Sequence, residues 1–511
     1  MKKNIIILTL LSIGLFCGCK KGLDRTTYGV LSPVNFPKTE ADFEIYTMVV
    51  YKPFGSRWSY GDGGNQFLWH GAEWSNTFIN DLPSDLFAIF PEWGGYWRDM
   101  SEANFVPRIN HGADGHFHKT RFITRITKII ADLEAATVLS DAKRTQLLAE
   151  ARMARGWLMY YLHTLYGPVP VILDPAKVGT DAEADLTRPD KDVFVQAAAA
   201  DLRFAADNLV KAPAEYGRFN KGIALGVLMR LYLFDKNFAG AEAAGREILA
   251  MGYSLNGSYR DLFRTATERN NETIWAVSVD PAGDGTGARP NFNAWGFYTY
   301  PSNYPGMLPP TGARRGGYAN PAAFAPTWAF YDSFDPLDKR RELLITSYGA
   351  IASNGTPTGV TITRSGMRGP VCAKYPDDDA TPFQGNDIPV LRYADVLLML
   401  AEAINGNTGP SVEAANFVNQ VRSRAGVDAL LPAQTASKEA FSTAILQERA
   451  WELYFEGFRR VDLMRFGKWN EYLIAAGKNP LPLEGNGYFP IPQYILNAGA
   501  GKVIQNPGYP Q

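Results

Sequence analysis

The sequence predicts a mainly α-helical protein with tetratricopeptide-like helix pairs, decorated by long loops and short strands. Apolar residues recur at helical spacing between 122 and 249 and again between 391 and 425. Within these stretches, short turns join helices two by two, as in tetratricopeptide repeats. Between about 253 and 389 the helical period disappears, and Gly, Pro, Asn and aromatic residues dominate.

The N-terminus has the features of an export signal. Two lysines precede an apolar run over residues 4–18, which is shorter than the about 20 residues that span a bilayer. The Gly that precedes Cys19 resembles a bacterial lipobox, in which Cys19 becomes the lipidated first residue. We therefore predict a lipoprotein signal peptide over 1–18 and a lipid-anchored tether over 19–40. The alternative is an ordinary secretory signal that is cut elsewhere.

Composition narrows the class of protein. Lys plus Arg is 51 and Asp plus Glu is 52, so there is no strong positive field for nucleic acid. After loss of Cys17 and lipidation of Cys19, Cys372 is the only cysteine left, which predicts no internal disulfide. The aromatic content of 13%, with 11 Trp and 25 Tyr, is the first indication of a binding function.

The helices are predicted from apolar stripes in chain order. A Gly-Pro pair at 167–168 ends the second of them, as such pairs commonly do. The predicted helices are 122–136, 147–165, 193–209, 224–232, 238–249, 391–404 and 414–425.

The region from about 253 to 389 is predicted to hold loops and short strands built on the helical scaffold. So long a stretch without regular structure is uncommon and is usually functional when ordered. Disorder is the alternative, but the density of Trp, Tyr and Phe argues against it. We predict one domain over 41–511, with halves at about 41–252 and 253–511.

Several segments carry a recognisable pattern in a fixed order. They are 148–152 (LAEAR), 160–170, 388–403 (with IPVLRYADV), 421–427 (VRSRAGV), 447–468 (QERAWELYFEGFRRVDLMRFGK), 490–492 (PIP) and 505–509 (QNPGY). Together they resemble the SusD/RagB family of nutrient-binding outer-membrane lipoproteins, over nearly the whole mature chain.

The resemblance implies a SusD-like helical scaffold and a binding protein that is not an enzyme and needs no cofactor. It implies capture of an oligosaccharide or polysaccharide and delivery to a SusC-like TonB-dependent barrel transporter. RagB-like capture of oligopeptides for the same kind of transporter is the alternative. The expected location is the outer membrane, lipid-anchored and facing outward. Orientation rests on the resemblance, because Lys20 and Lys21 follow the lipidated cysteine where exported lipoproteins often carry acidic residues.

Two aromatic clusters are the predicted ligand site. Five of the eleven tryptophans fall within 58–97, and a second cluster spans 295–328. In the family, the glycan site is an aromatic arc drawn from these two regions, and polar side chains read the hydroxyls. The predicted ligand contacts are Trp74, Asp81, Trp93, Tyr96, Trp97, Trp295, Tyr298 and Trp328. The alternative is that most of these aromatics belong to the core, since Trp is usually largely buried.

Three groups of residues invite other interpretations. Glu448, Glu452 and Glu456 recur every four residues, so they share one helix face beside arginines. We interpret them as a structural ion-pair network and not as an active site. A glycoside hydrolase would need two carboxyl groups, for which Asp81, Asp85 and Glu92 are candidates without a defining spacing. His111, His116 and His118, and the segment 280–287, lack the spacing of a metal site, and we predict no metal.

Overall fold

The computed structural model describes most of the chain. The described residues are 36–55, 68, 75–89, 95–106, 114–279, 293, 295–305, 324–376 and 384–511. The predicted signal peptide, Cys19 and nearly all of the tether lie outside them.

Helices dominate the described part of the first half. Several begin where a side chain caps the first turn, as Ser140 does for the long helix that precedes Gly167. Gly167 has φ of +75°, a conformation that glycine adopts without strain. The helices are α1 (Glu40–Thr47), α2 (Asn76–Asp81), α3 (Tyr96–Ser101), α4 (Asp114–Phe117), α5 (Thr120–Ala135), α6 (Asp141–Tyr166), α7 (Lys191–Asn208), α8 (Lys221–Phe234) and α9 (Phe238–Leu249).

The second half combines short strands with further helices. The elements are β2 (Thr273–Val277), α10 (Trp295–Thr299), β3 (Phe324–Pro326), α11 (Trp328–Asp332), β4 (Leu344–Ile345), β5 (Tyr348–Ile351), β6 (Pro357–Ile362), β7 (Val371–Cys372), β8 (Ile388–Arg392), α12 (Tyr393–Thr408), α13 (Val412–Ala425), α14 (Lys438–Leu453), α15 (Arg459–Arg465), α16 (Trp469–Ala475) and α17 (Gln493–Ala498). The first half contributes β1 (Phe87–Ile89). The strands form two-stranded antiparallel pairs, β1 with β3, β2 with β8, β4 with β7 and β5 with β6.

The helix pairs pack in sequence. From α5 to α9 each helix contacts the next, α9 then packs against α12, and α12 contacts both α13 and α14. Asn220, Asn237, Ser411 and Ser437 cap four of these helices by accepting a backbone N–H in the first turn. The prediction of a mainly α scaffold built from helix pairs is confirmed.

One predicted helix begins later than expected. The sequence predicts a helix over 391–404, but residues 391 and 392 end the strand β8 (Ile388–Arg392). This strand is buried along its whole length. It pairs with β2, and Tyr393 opens α12. A short apolar run that is buried on both sides is compatible with a strand as well as with a helix. Here the pairing with β2 makes it a strand.

A single large hydrophobic cluster contains residues from Phe43 to Tyr509. A second, small cluster contains Tyr300, Tyr348 and Met367, with Tyr304 and Trp328 packed against it. The boundary between halves near 252 stays a prediction. None of the helices in the described ranges combines the length and apolarity that crossing a bilayer requires.

Candidate functional site

The two aromatic-rich regions of the sequence meet in space. Strand β1 from the first region pairs with β3 from the second, so that Phe87 lies opposite Pro326 and Ile89 opposite Phe324. The backbone N–H of Thr327 also donates to the carbonyl of Leu86, at 2.8 Å. A small antiparallel ladder therefore joins two segments that are far apart in the chain.

Buried rings hold this junction together. The ring centroids of Phe78 and Trp97 are 4.8 Å apart, and those of Trp97 and Phe324 are 5.4 Å apart. Tyr298 adds a ring 5.1 Å from Phe324. Trp97 is 9% exposed and Tyr298 0%. Such ring pairs stabilise packing beyond the area that they bury, so these side chains support the junction from within.

Trp295 belongs to the same interior. It is buried and packs edge-on against Phe455, with centroids 4.9 Å apart. Its backbone N–H donates to the side-chain oxygen of Asn293, at 3.0 Å. The N–H of Gly296 donates to Gln384 Oε1, at 2.8 Å. These bonds fix the start of α10 to the segment that precedes β8.

Asp81 anchors the loop that precedes α15. Its carboxylate accepts the backbone N–H groups of Gly457, Phe458 and Arg459 at 2.8, 3.2 and 3.1 Å. Burial raises the pKa of Asp81 to about 7, although the N–H donors favour the charged form. Gly457 is required here, because a Cβ on it would lie 2.8 Å from the Cα of Thr77. The carboxylate thus ties the first region to the last helices.

Among the predicted rings whose side chains are described, Trp328 is the one that is not buried. It is half-buried at the start of α11, and its indole N–H donates to the carbonyl of Met367, at 3.2 Å. The guanidinium carbon of Arg364 lies 4.3 Å from the ring centroid, within cation–π range. Arg364 also forms a two-pronged pair with Asp332, at 2.7 and 2.6 Å. The ring is therefore fixed in orientation and flanked by charged groups.

A ladder of tyrosines lies in the same small cluster as Trp328. Tyr304 stands between Tyr300 and Tyr348, with centroids 5.0 and 5.1 Å away. The hydroxyl of Tyr348 donates to Asn303 Oδ1, at 2.9 Å. Tyr304 and Asn303 are both partly exposed. This part of the junction offers partly exposed rings beside an amide and an ion pair.

The structure divides the predicted ligand contacts into three groups. Asp81, Trp97, Trp295 and Tyr298 lie in the interior, because the packing and hydrogen bonds described above use their side chains. Trp328 is partly exposed. Trp74 and Trp93 lie outside the described residues, and only the backbone of Tyr96 is described. Ligand contact stays a prediction for all of them, and burial favours a supporting role for the first four.

Sequence reasoning missed Arg364 and the hairpin that precedes it. Strands β5 and β6 form this hairpin, and β6 is exposed over nearly its whole length. Thr358, Val360 and Ile362 alternate with their neighbours in the pattern of a strand, which was the available signal. Their proximity to Trp328 depends on tertiary packing, which the pattern does not contain.

Glu448 and Glu452 lie on α14, but the predicted helix face does not extend to Glu456, which lies beyond the helix end at Leu453. All three carboxylates are buried in an ion-pair network. Arg340 pairs with Glu448 at 2.6 Å and with Glu452 at 3.2 Å. Arg392 pairs with Glu452 at 2.9 Å and with Glu456 at 2.7 Å. The described ion pairs of this network join five cations, Arg340, Lys374, Arg392, Arg422 and Arg424, to five carboxylates, Glu272, Asp338, Glu448, Glu452 and Glu456.

These contacts support the interpretation of the glutamates as a structural ion-pair network. Burial opposes ionisation of Glu452, but the guanidinium groups of Arg424, Arg392 and Arg340 hold its pKa well below the usual range. A general acid needs a raised pKa, so Glu452 is unsuited to that role. The charges instead connect α14 with β8 and with the segment that follows α11.

The carboxylates considered for a hydrolase are also engaged elsewhere. Asp85 forms a two-pronged pair with Arg459, with both distances at 2.7 Å. Asp81 accepts the backbone donors given above, and Glu92 lies outside the described residues. In their described positions Asp81 and Asp85 connect the first region to α15 and do not form a catalytic pair.

The histidines near 111–118 take part in packing where they are described. His116 is buried, with its Nδ1 3.1 Å from both the Lys119 ammonium and the Tyr161 hydroxyl. His118 stacks on Tyr494, with centroids 5.3 Å apart. Among the described residues, no three His, Cys, Asp or Glu side chains are grouped so that they could hold a metal ion. His111 and the segment 280–287 lie outside the described part.

Comparison with known proteins identifies the family. Residues 271–509 match the model of the SusD family. Residues 118–233 match a family described as starch-binding and associating with the outer membrane. The chain is 25% identical to a SusD-like protein of Formosa agariphila over 501 residues, which covers 91% of this chain and 90% of that one. It is 24% identical to the starch-binding protein SusD of Bacteroides thetaiotaomicron, covering 75% of this chain and 76% of that one.

A solved structure shares the fold. The surface glycan-binding protein A of Bacteroides thetaiotaomicron, solved in complex with laminarihexaose, superposes with a TM-score of 0.71 at 21% identity. The superposition covers 92% of this chain and 100% of that one. Together the two family models span well over half of the sequence, in the order of the segments that carried the resemblance. The chain belongs to the SusD/RagB family.

Proposed function

We propose that the chain captures glycans at the cell surface and delivers them to a SusC-like TonB-dependent transporter. In this proposal Cys19 carries the lipid that anchors the protein to the outer membrane, facing outward. The mechanism is binding and transfer without a chemical step. The partners are an oligosaccharide and the barrel of the transporter.

The observation that carries the proposal is the junction of the two aromatic regions. Sugar rings have apolar C–H faces that pack on aromatic side chains, and their hydroxyls need polar partners. At the junction, Trp328 and Tyr304 are partly exposed, and Asn303, Asp332 and Arg364 lie beside them. Buried rings brace the same junction, so a ligand would meet a preorganised surface.

The relatives support a sugar cargo. One relative is named as a starch-binding protein, and a protein of the same fold was solved with laminarihexaose. Both names favour a sugar over a peptide as cargo, so we do not propose oligopeptide capture. The transporter and the lipid anchor rest on family membership and on the N-terminal sequence.

The test is affinity electrophoresis of the soluble form lacking residues 1–19 through gels that contain starch, laminarin or other polysaccharides. We expect retardation by at least one glycan. Trp328→Ala should weaken that binding about tenfold, because the ring contributes about 1 kcal/mol or more to stacking. Trp93→Ala tests the predicted contact outside the described residues in the same gels.

A matched control separates binding from folding. Tyr494→Ala removes a partly exposed ring on α17, which is not part of this junction, and should leave retardation unchanged. Equal retardation of the Trp328 variant and the wild type would contradict the assignment of this surface. Retardation by no glycan, together with capture of a peptide from a peptide pool, would contradict the glycan proposal itself.

A further inference from the structure

A separate pocket lies on the helical part of the molecule. It forms where the turn between α8 and α9 meets α12, α14 and the end of α15. Its volume is about 370 Å³, which is within the range of small-molecule sites. Its charged and aromatic lining consists of Lys236, Phe238, Glu402, Lys438, Glu439, Arg465, Phe466 and Lys468.

The charges that line this pocket do not cancel. Arg465 pairs with Glu402 at 2.8 Å. Lys468 lies 2.8 Å from Glu471 and 3.7 Å from Glu439. Lys236 and Lys438 pair with no carboxylate among the described residues. Their amino groups donate to the backbone carbonyls of Arg465 and Gly406.

An aromatic ring lies near the two amino groups that lack a carboxylate. The Nζ atoms of Lys236 and Lys438 are 5.9 and 5.8 Å from the centroid of Phe238. Phe238 is half-buried, and its ring seats against Gly406, where a Cβ would lie 2.2 Å from a ring carbon. The absence of a side chain at Gly406 therefore permits this ring position. The pocket offers an apolar surface flanked by two ammonium groups.

The backbone at Lys236 is unusual. Its φ of +63° places a lysine in the left-handed region, which favours Gly and Asn. Such strain concentrates at functional positions, where surrounding structure enforces it. Burial lowers the pKa of Lys236, while the nearby carboxylate of Glu402 acts in the opposite direction and the charge of Arg465 in the same direction. A bound anion would add to the compensation that Glu402 gives.

We propose that this pocket binds a monosaccharide-sized anion, a sugar acid or a sugar sulfate. The anionic group is held by the amino groups of Lys236 and Lys438, and the apolar face of the sugar ring lies on Phe238. Hydrogen bonds between charged groups are stronger than neutral ones, and the aromatic surface excludes water from one side. The pocket is independent of the aromatic junction and does not rest on the function proposed for it.

The test is isothermal titration of the soluble form with glucuronate, glucose 6-sulfate, glucose and inorganic sulfate. We expect binding of at least one of the two sugar anions and none of glucose. Lys438→Gln and Lys236→Asn should each raise the Kd of that anion about tenfold, through loss of one charged hydrogen bond. Asn is at ease in the left-handed region, so the variant at position 236 should fold at least as well as the wild type.

The matched control is Lys502→Gln, which removes an exposed lysine elsewhere and should leave the Kd unchanged. Retardation of the Lys236 and Lys438 variants by polysaccharide should equal that of the wild type, since that surface is distinct. Failure of both sugar anions to bind, or unchanged Kd values in both variants, would overturn the proposal. Inorganic sulfate binding as tightly as the sugar anions would overturn the assignment of a sugar.

Discussion

Replacing Glu452 with Gln should destabilise the folded protein by roughly 3–5 kcal/mol, the usual cost of removing one partner from a buried ion pair. The carboxylate receives three guanidinium groups, those of Arg424, Arg392 and Arg340, at 2.5, 2.9 and 3.2 Å. The amide has nearly the same shape but no charge. The substitution therefore leaves the cations of the network in excess inside the protein.

Equilibrium unfolding in urea at neutral pH measures this change. The control is Glu471→Gln, which removes an exposed carboxylate paired with Lys468, and surface pairs of this kind contribute little. We expect the folded fraction of the Glu452 variant to retain glycan binding. Loss of ligand binding with unchanged stability would contradict the structural role, and would make the α14 carboxylates part of a functional site.

The network also predicts sensitivity to acid. Because the pKa of Glu452 is lower in the folded state than its ordinary value of 4.5, its charge contributes stability above that value. That contribution is lost as pH falls through the lowered pKa of the folded state. In the Glu452→Gln variant this part of the acid dependence should disappear.

The helical scaffold could be predicted because its signal is local. Apolar residues at helical spacing and a capping residue at the start are properties of a few consecutive turns. The observed α5 and α7 begin within two residues of the predicted starts at 122 and 193. The shared face of Glu448 and Glu452 on α14 could be predicted for the same reason, whereas Glu456 lies beyond the helix end at Leu453.

The aromatic residues could not be assigned in the same way. Trp97 is buried by Phe78, which is close in sequence, and by Phe324, which is not. Trp328 keeps accessible surface because it packs at the edge of a small cluster beside an exposed hairpin. Composition located both regions, but exposure of a single ring depends on which strands pair. The helix predicted from 391 begins at Tyr393 for that reason too, because the two residues before it belong to β8, which pairs with β2.

Replacing His163 with Phe should reduce the loss of stability between neutral pH and pH 4 by about 3 kcal/mol. His163 lies in α6, is 2% exposed, and packs against the rings of Phe194 and Phe234 at 5.9 and 5.3 Å. Its Nδ1 has no hydrogen-bond partner among the described residues. Burial lowers the pKa of His163 from 6.5 to about 4. Asp235 and a hydrogen bond with the backbone of Gly167 act in the opposite direction, and Lys191 and Arg188 in the same direction.

The direction of this pH effect on stability follows from proton binding. Between the two pKa values the unfolded chain binds a proton at position 163 and the folded protein does not, so stability falls as pH falls through this window. The difference between a pKa of 6.5 and one of about 4 corresponds to about 3 kcal/mol.

Phe cannot be protonated, so the variant lacks this contribution. Any packing cost of the substitution changes stability equally at each pH and does not affect the comparison. Urea unfolding of the wild type and the variant at pH 7, 5.5 and 4 measures how the free energy of unfolding of each protein depends on pH. Parallel pH profiles for the two proteins would contradict this prediction, because they would show that folding does not lower the pKa of His163.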